Sequence, residues 1–165
     1  MKDYINLFHG IISEIHFWDD MKFVKKEACL SKFLQNFKNV VGITVELDSL
    51  FSTFESTLKD FNSLHGMANS RARLRMTTLY QVAAANNGIV VGTGNKVEDF
   101  GVGFYTKYGD GGVDISPIAD CNKTEVWQLG KELKILQEII DAPPTDGLWD
   151  DGRTWLLYTS DAADE

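Results

Sequence analysis

Apolar positions along the chain alternate between two periods. From 21 to 37, MKFVKKEACLSKFLQNF sets Phe23/Val24, Leu30, Phe33/Leu34 and Phe37 at helical spacing. VVGITVEL (40–47) is short and β-branched, and predicts a buried strand. Asp48 is placed to cap a second helix through LFSTFESTLKDF, and Asn69 or Ser70 a third through RARLRMTTLYQVAAANN, which Gly88 stops. IVVGT (89–93) is too short for a helix and predicts a strand ending in glycine. Residues 94–114 are glycine-dense and read as a long functional loop. KTEVWQLGKELKILQEII (123–140) returns to helical spacing until Pro143-Pro144. Strands separated by helices, with glycine just past a strand end, predict an α/β layer fold with a parallel sheet that binds ligands beyond its strands' carboxyl ends. Two clear strands are few for such a fold.

Length and composition add bounds. The chain has 165 residues, enough for a sizeable core, and 44% of them are apolar, too many for a disordered chain. No apolar run reaches membrane-spanning length, and the N-terminal segment lacks a small-residue cleavage site, so neither membrane insertion nor a signal peptide is expected. The net charge of −8 and the lack of a basic stripe argue against nucleic acid as a partner. Much of that charge is local, because residues 146–165 set six acidic groups against Arg153 alone. Cys29 and Cys121 lack metal-type spacing, which fits a reduced, cytoplasmic setting. His9, His16 and His65 have no companions at ligand spacing.

Three segments carry candidate chemistry. In Arg71-Ala-Arg73-Leu-Arg75, Arg71 and Arg75 share a helix face. Three cations at a helix start oppose the macrodipole, which suits a bound anion; a solvated face with ordinary ion pairs is the alternative. GTGNKVEDFG (92–101) offers the Thr93 hydroxyl and backbone N–H groups to a nucleotide, and Glu98 to a hard cation, although Glu98 and Asp99 could equally cap a short helix. YTKYGDGGVD (105–114) combines Lys107, Asp110 and Asp114 with glycines that let backbone approach a ligand. Lys123-Thr124 opens the last helix, where phosphate binding and capping both fit, and Thr145 and Asp146 lie in the stiff APPTDGLW turn. No Walker loop, GxGxxG, HExxH or GxSxG occurs.

Taken together, ANSRARLRM (68–76), GTGNKVEDFGVGFYTKYGDGGVDISPIAD (92–120), Lys123-Thr124 and APPTDGLWDDGRT (142–154) strongly resemble the bacterial NAD synthetases. The resemblance implies a parallel-sheet, Rossmann-like three-layer fold of the ATP-pyrophosphatase type. It also implies synthesis of NAD from deamido-NAD, ATP and ammonia through an adenylated intermediate, with release of AMP and pyrophosphate. By the same resemblance Arg73, Lys107 and Asp114 match deamido-NAD contacts, Thr93, Lys123 and Thr145 match ATP contacts, and Glu98 matches a magnesium ligand. The family forms homodimers, and helices 48–61 and 69–87 are the implied contact surface.

Two departures qualify it. The family's N-terminal strand and SGGxDS phosphate loop have no counterpart here, and residues 1–24 match nothing in the family pattern. After GRT the family pattern gives way to WLLYTSDAADE. The expectation is therefore a partial NAD synthetase domain at 25–154, an unassigned segment at 1–24 and a non-native tail at 155–165. The fold would be incomplete and this chain alone inactive. The competing expectation is a non-catalytic nucleotide-binding or dimerising module built on the same fold.

Overall fold

The computed structural model describes the backbone of residues 10–16 and residues 36–141. Strand β1 (Gly10–His16) pairs in parallel with β2 (Val40–Glu46), with Gly10 opposite Val40 and His16 opposite Glu46. β1 falls inside the segment that the sequence left unassigned. Two parallel neighbours need about a dozen residues or more between them, and the intervening 17–39 supplies that length. The helix expected over 21–37 lies outside the described residues except at its last two positions, where Asn36 is in a turn. β2 is where the pattern placed it, but it is not a buried strand: Val41 is 60% exposed and Gly42 is also exposed.

Helix α1 (Asp48–Thr57) follows directly. Asp48 is its first residue and favours the positive end of the dipole, while Leu47 occupies the cap position, so the expected aspartate cap is corrected. α1 also ends earlier than the expected 61, because the chain tightens into a 3-10 turn at Lys59–Phe61. Helix α2 (Leu64–Ala85) begins well before Asn69 and Ser70. Ser63 caps it, its Oγ accepting from Gly66 N at 3.1 Å. The arginine cluster is therefore inside the helix rather than at its N-terminus, and the dipole argument for a bound anion is lost.

α2 ends in a Schellman arrangement: Gly88 N donates to Ala83 O at 2.8 Å and Asn87 N to Ala84 O at 3.4 Å. The left-handed residue is Asn87 (φ 53°), so Asn87 turns the chain one residue before the expected Gly88. The same device splits the helix expected over 123–140. Helix α3 (Lys123–Glu132) closes with Ile135 N on Gly130 O at 2.9 Å and Lys134 N on Lys131 O at 3.0 Å. Lys134 takes φ 56°, and α4 (Gln137–Ile140) follows as a separate turn.

The strand expected at 89–93 is reduced to a single parallel bridge, Val91 to Ile115, with Ile89 55% and Val91 48% exposed. Ladder formation needs continuous partners on both sides, and the described residues supply one contact point. Between 94 and 114 the expected loop contains a π-helical turn at Val97–Val102. Every strand pairing among the described residues is parallel, as an α/β fold requires. The buried apolar residues are Leu47, just before α1, Phe51 in α1, Met67 in α2, Val90 beside the bridge and Val97 in the π turn. Among the described residues no helix is long and apolar enough to cross a membrane.

Candidate functional site

One face of α2 receives the glycine-dense loop. Asn69, Ala72, Arg73, Met76 and Tyr80 recur at spacings of three and four, which places them along one side of the helix. Thr106 Oγ1 donates to Asn69 Oδ1 at 2.7 Å, and Arg73 Nε donates to Lys107 O at 3.1 Å. Farther along, Tyr80 OH donates to Asp114 Oδ1 at 3.1 Å. Glycine is required where the loop lies closest: a Cβ on Gly109 would stand 2.9 Å from Ala72 Cβ, and one on Gly112 3.0 Å from Met76 Cγ. Thr106 N donates to Asp110 Oδ1 at 2.8 Å, folding the loop on itself. Asn69, expected as a cap, is a loop anchor instead.

The three arginines diverge. Arg71 lies over the Phe51 ring, 4.4 Å from its centroid, and so joins α1 to α2. Arg73 holds the Lys107 backbone. Arg75 has its pKa lowered by burial and by the charge of Arg71, with Asp110 acting in the opposite direction. The three side chains thus have different surroundings: Arg71 the Phe51 ring, Arg73 the Lys107 carbonyl, and Arg75 a more buried position near Arg71 and Asp110.

Asp114 has a structural load that its sequence context did not show. Its Oδ2 accepts from Val90 N at 2.7 Å while its own N donates to Val90 O at 3.0 Å, and Gly92 N donates to Ile115 O at 2.8 Å. Asp114 thereby joins the loop, the bridge and Tyr80. Burial, then the hydrogen bond and charge of Asp114, raise the Tyr80 phenol. Thr93 follows this bridge and is exposed.

Glu98 lies in the π turn and Lys123 at the first position of α3. Lys123 Nζ meets Glu98 Oε1 at 2.7 Å, with both side chains about four-fifths covered. The structure thus joins a candidate nucleotide contact to the candidate cation ligand, 25 residues apart. Glu125 accepts from Asn122 N at 2.7 Å and secures the start of α3. The Asp99 carboxyl is raised, first by burial and then by Glu98 and Asp110. No group of three or more metal-ligating side chains occurs among the described residues. Glu98 is a single hard-oxygen donor, which fits an ion such as magnesium that takes few ligands from the protein. Thr145 lies outside the described residues.

Sequence reading missed Asn95 and Tyr80. Asn95 Oδ1 accepts from Val97 N and Glu98 N, each at 3.1 Å. Its signal was present in Asn95-Lys-Val-Glu98, the spacing of a capping sequence. Tyr80 follows Arg73 by two helical turns on the same face.

Known proteins share this framework. A family model described as NAD synthase matches residues 24–154. The NH(3)-dependent NAD(+) synthetase of Carboxydothermus hydrogenoformans is 41% identical over 136 residues, covering 78% of this chain and 56% of that protein. That of Alkaliphilus metalliredigens is 53% identical over 87 residues, 53% of this chain and 34% of the relative. Among solved structures, NMN synthetase from Francisella tularensis matches with a TM-score of 0.74 at 30% identity, covering 86% of this chain and 57% of that one. The NH3-dependent NAD synthetase from Campylobacter jejuni, in complex with the nitrate ion, matches with a TM-score of 0.65 at 27% identity, covering 79% and 54%. The chain spans about half the length of the curated relatives it matches. The fold is thus of the α/β class that the NAD and NMN synthetases share. The chain itself belongs to the NAD synthase family.

Proposed function

We propose that the protein serves the ATP-dependent amidation of deamido-NAD by ammonia, in the cytoplasm, as a homodimer when intact. The observation that carries this reading is the 2.7 Å contact between Lys123 and Glu98, which unites the two residue types an ATP–magnesium site needs. Arg73 and Lys107 supply cations on the loop side, where a carboxylate and phosphates would need them, and Asp114 supplies an acceptor. In this reading the nicotinate carboxylate oxygen attacks the α-phosphorus of ATP, and pyrophosphate leaves. Ammonia then attacks the acyl carbon, AMP departs with the bonding electrons, and the nitrogen loses a proton. Thr93, Lys123 and Thr145 hold the triphosphate, and Lys123 offsets negative charge as it grows on the leaving group. A magnesium ion, held by Glu98, would supply charge neutralisation on the phosphates. Ammonia is already a nucleophile, so the residues act mainly by positioning and electrostatics.

The 165 residues contain no SGGxDS phosphate loop, so this polypeptide alone is expected to form AMP at a negligible rate. Arg73, Lys107 and Asp114 would supply most of the deamido-NAD site, and the chain is expected to bind that ligand. Calorimetry with deamido-NAD and with ATP, paired with an AMP-release assay, tests the reading. Binding of neither ligand would favour a dimerising module instead, and brisk turnover would refute the expected inactivity. The likeness to an NMN synthetase favours one second reading, a mononucleotide acid in place of the dinucleotide. Competition between the two acids in the calorimeter decides between them.

A further inference from the structure

We propose that Asn95 is a positioning residue that sets the Glu98 carboxylate against Lys123; this rests on the reading of that pair as the cation and ATP site. Asn95 is 2% exposed, the most deeply buried polar side chain among the described residues. Burying an amide is unfavourable unless its polar atoms are bonded, and Oδ1 is engaged twice, by Val97 N and Glu98 N. Its backbone oxygen accepts from Asp99 N at 3.0 Å, so one residue satisfies three successive donors of the π turn. Val97, the first residue of the turn, is also buried, at 4% exposed.

Two further bonds fix where that turn stands. Lys96 N donates to Cys121 O at 3.0 Å, tying the residue after Asn95 to the segment that enters α3. Phe104 N donates to Glu98 O at 2.8 Å and closes the far side. The Glu98 backbone is therefore held at its N–H by Asn95 and at its carbonyl by Phe104, and the Lys96–Cys121 bond brings this frame to the start of α3. An amide oxygen accepts these bonds without placing a third negative charge beside Glu98 and Asp99. Asn95 acts only through Glu98.

Carbodiimide condensation of the 1–165 chain tests this, because the reagent couples a carboxylate to an amine only where the two are in contact. Peptide mapping of the wild-type chain is expected to show a Glu98–Lys123 isopeptide. Its yield is expected to fall several-fold in Asn95→Ala, with Asn95→Ser, which keeps a shorter acceptor, between the two. Circular dichroism establishes that each chain is folded. A wild-type yield in folded Asn95→Ala overturns the proposal. Should that variant not fold, Asn95→Ser decides: a reduced yield supports positioning, and an unchanged yield overturns it. Binding of manganese with ATP, followed by water-proton relaxation in the same chains, separates this from the proposed function. A cross-link that falls while manganese binding holds supports Asn95 as positioning residue and rejects Glu98 as the cation ligand.

Discussion

The ammonium of Lys123 rests 2.7 Å from Glu98 Oε1, joining the first residue of α3 to the π turn. Each side chain is about one-fifth exposed, so the pair is neither a solvated surface contact nor a dry buried one. Its contribution should fall between those limits, and removal of one partner should leave the other poorly solvated.

Lys123→Met is therefore expected to destabilise the chain by about 1–2 kcal/mol, between the exposed and buried limits for ion pairs. Glu98→Gln should have a comparable effect, and the double variant should lose less than the sum. A double-mutant cycle in urea measures the coupling. Strict additivity would show that the two side chains do not interact in solution.

Gly109→Ala should lift the 105–114 loop from α2, since the new methyl would meet Ala72 Cβ at 2.9 Å and Thr106 Cβ at 2.8 Å. A stability loss of about 1–3 kcal/mol is expected from overpacking, together with weaker deamido-NAD binding as Lys107 shifts away from Arg73. Thermal melting and calorimetry read the two effects. Gly103→Ala is a useful contrast, because its φ of 69° strains the backbone while nothing lies within 4 Å of the added methyl.

Asp99 supplies a pH dependence. Its folded-state pKa is raised from 3.8 by burial, Glu98 and Asp110, so the folded chain holds this proton more tightly than the unfolded chain. The associated stability is fully present below the unfolded value and is lost as pH rises through the folded one. Asp99→Asn removes that loss, so the wild-type deficit relative to the variant should open above about pH 4 and level off once the folded-state group is ionised. Urea titrations from acid to neutral pH test this, and parallel profiles would refute it. Magnesium should narrow the neutral-pH gap by screening the acidic neighbours.

Much of this molecule is legible without coordinates, and its errors have a pattern. The β2 run and the glycine-dense loop stand where periodicity and turn residues put them, and the helix through Arg71–Arg75 is present but begins earlier, at Leu64. Helix ends fared worse: Asn87 takes the left-handed position one residue before Gly88, and left-handed Lys134 ends α3 well before Pro143-Pro144. The start of α2 lies earlier than Asn69 and Ser70, at the Ser63 cap, which leaves both inside the helix and Asn69 bonded to Thr106.

The amino-acid sequence by itself determined β2, the two helices that follow it, the family resemblance and the residue types available for chemistry. These depend on spacing within a few residues, which backbone geometry translates directly into structure. Tertiary structure alone decided which of them meet: β1 beside β2, Asp114 between Val90 and Tyr80, and Arg71 over the Phe51 ring. It also brought Glu98 to Lys123 across 25 residues, through a turn organised on a buried asparagine. Such contacts rest on packing and on satisfying buried donors across distant segments, and no local period encodes them.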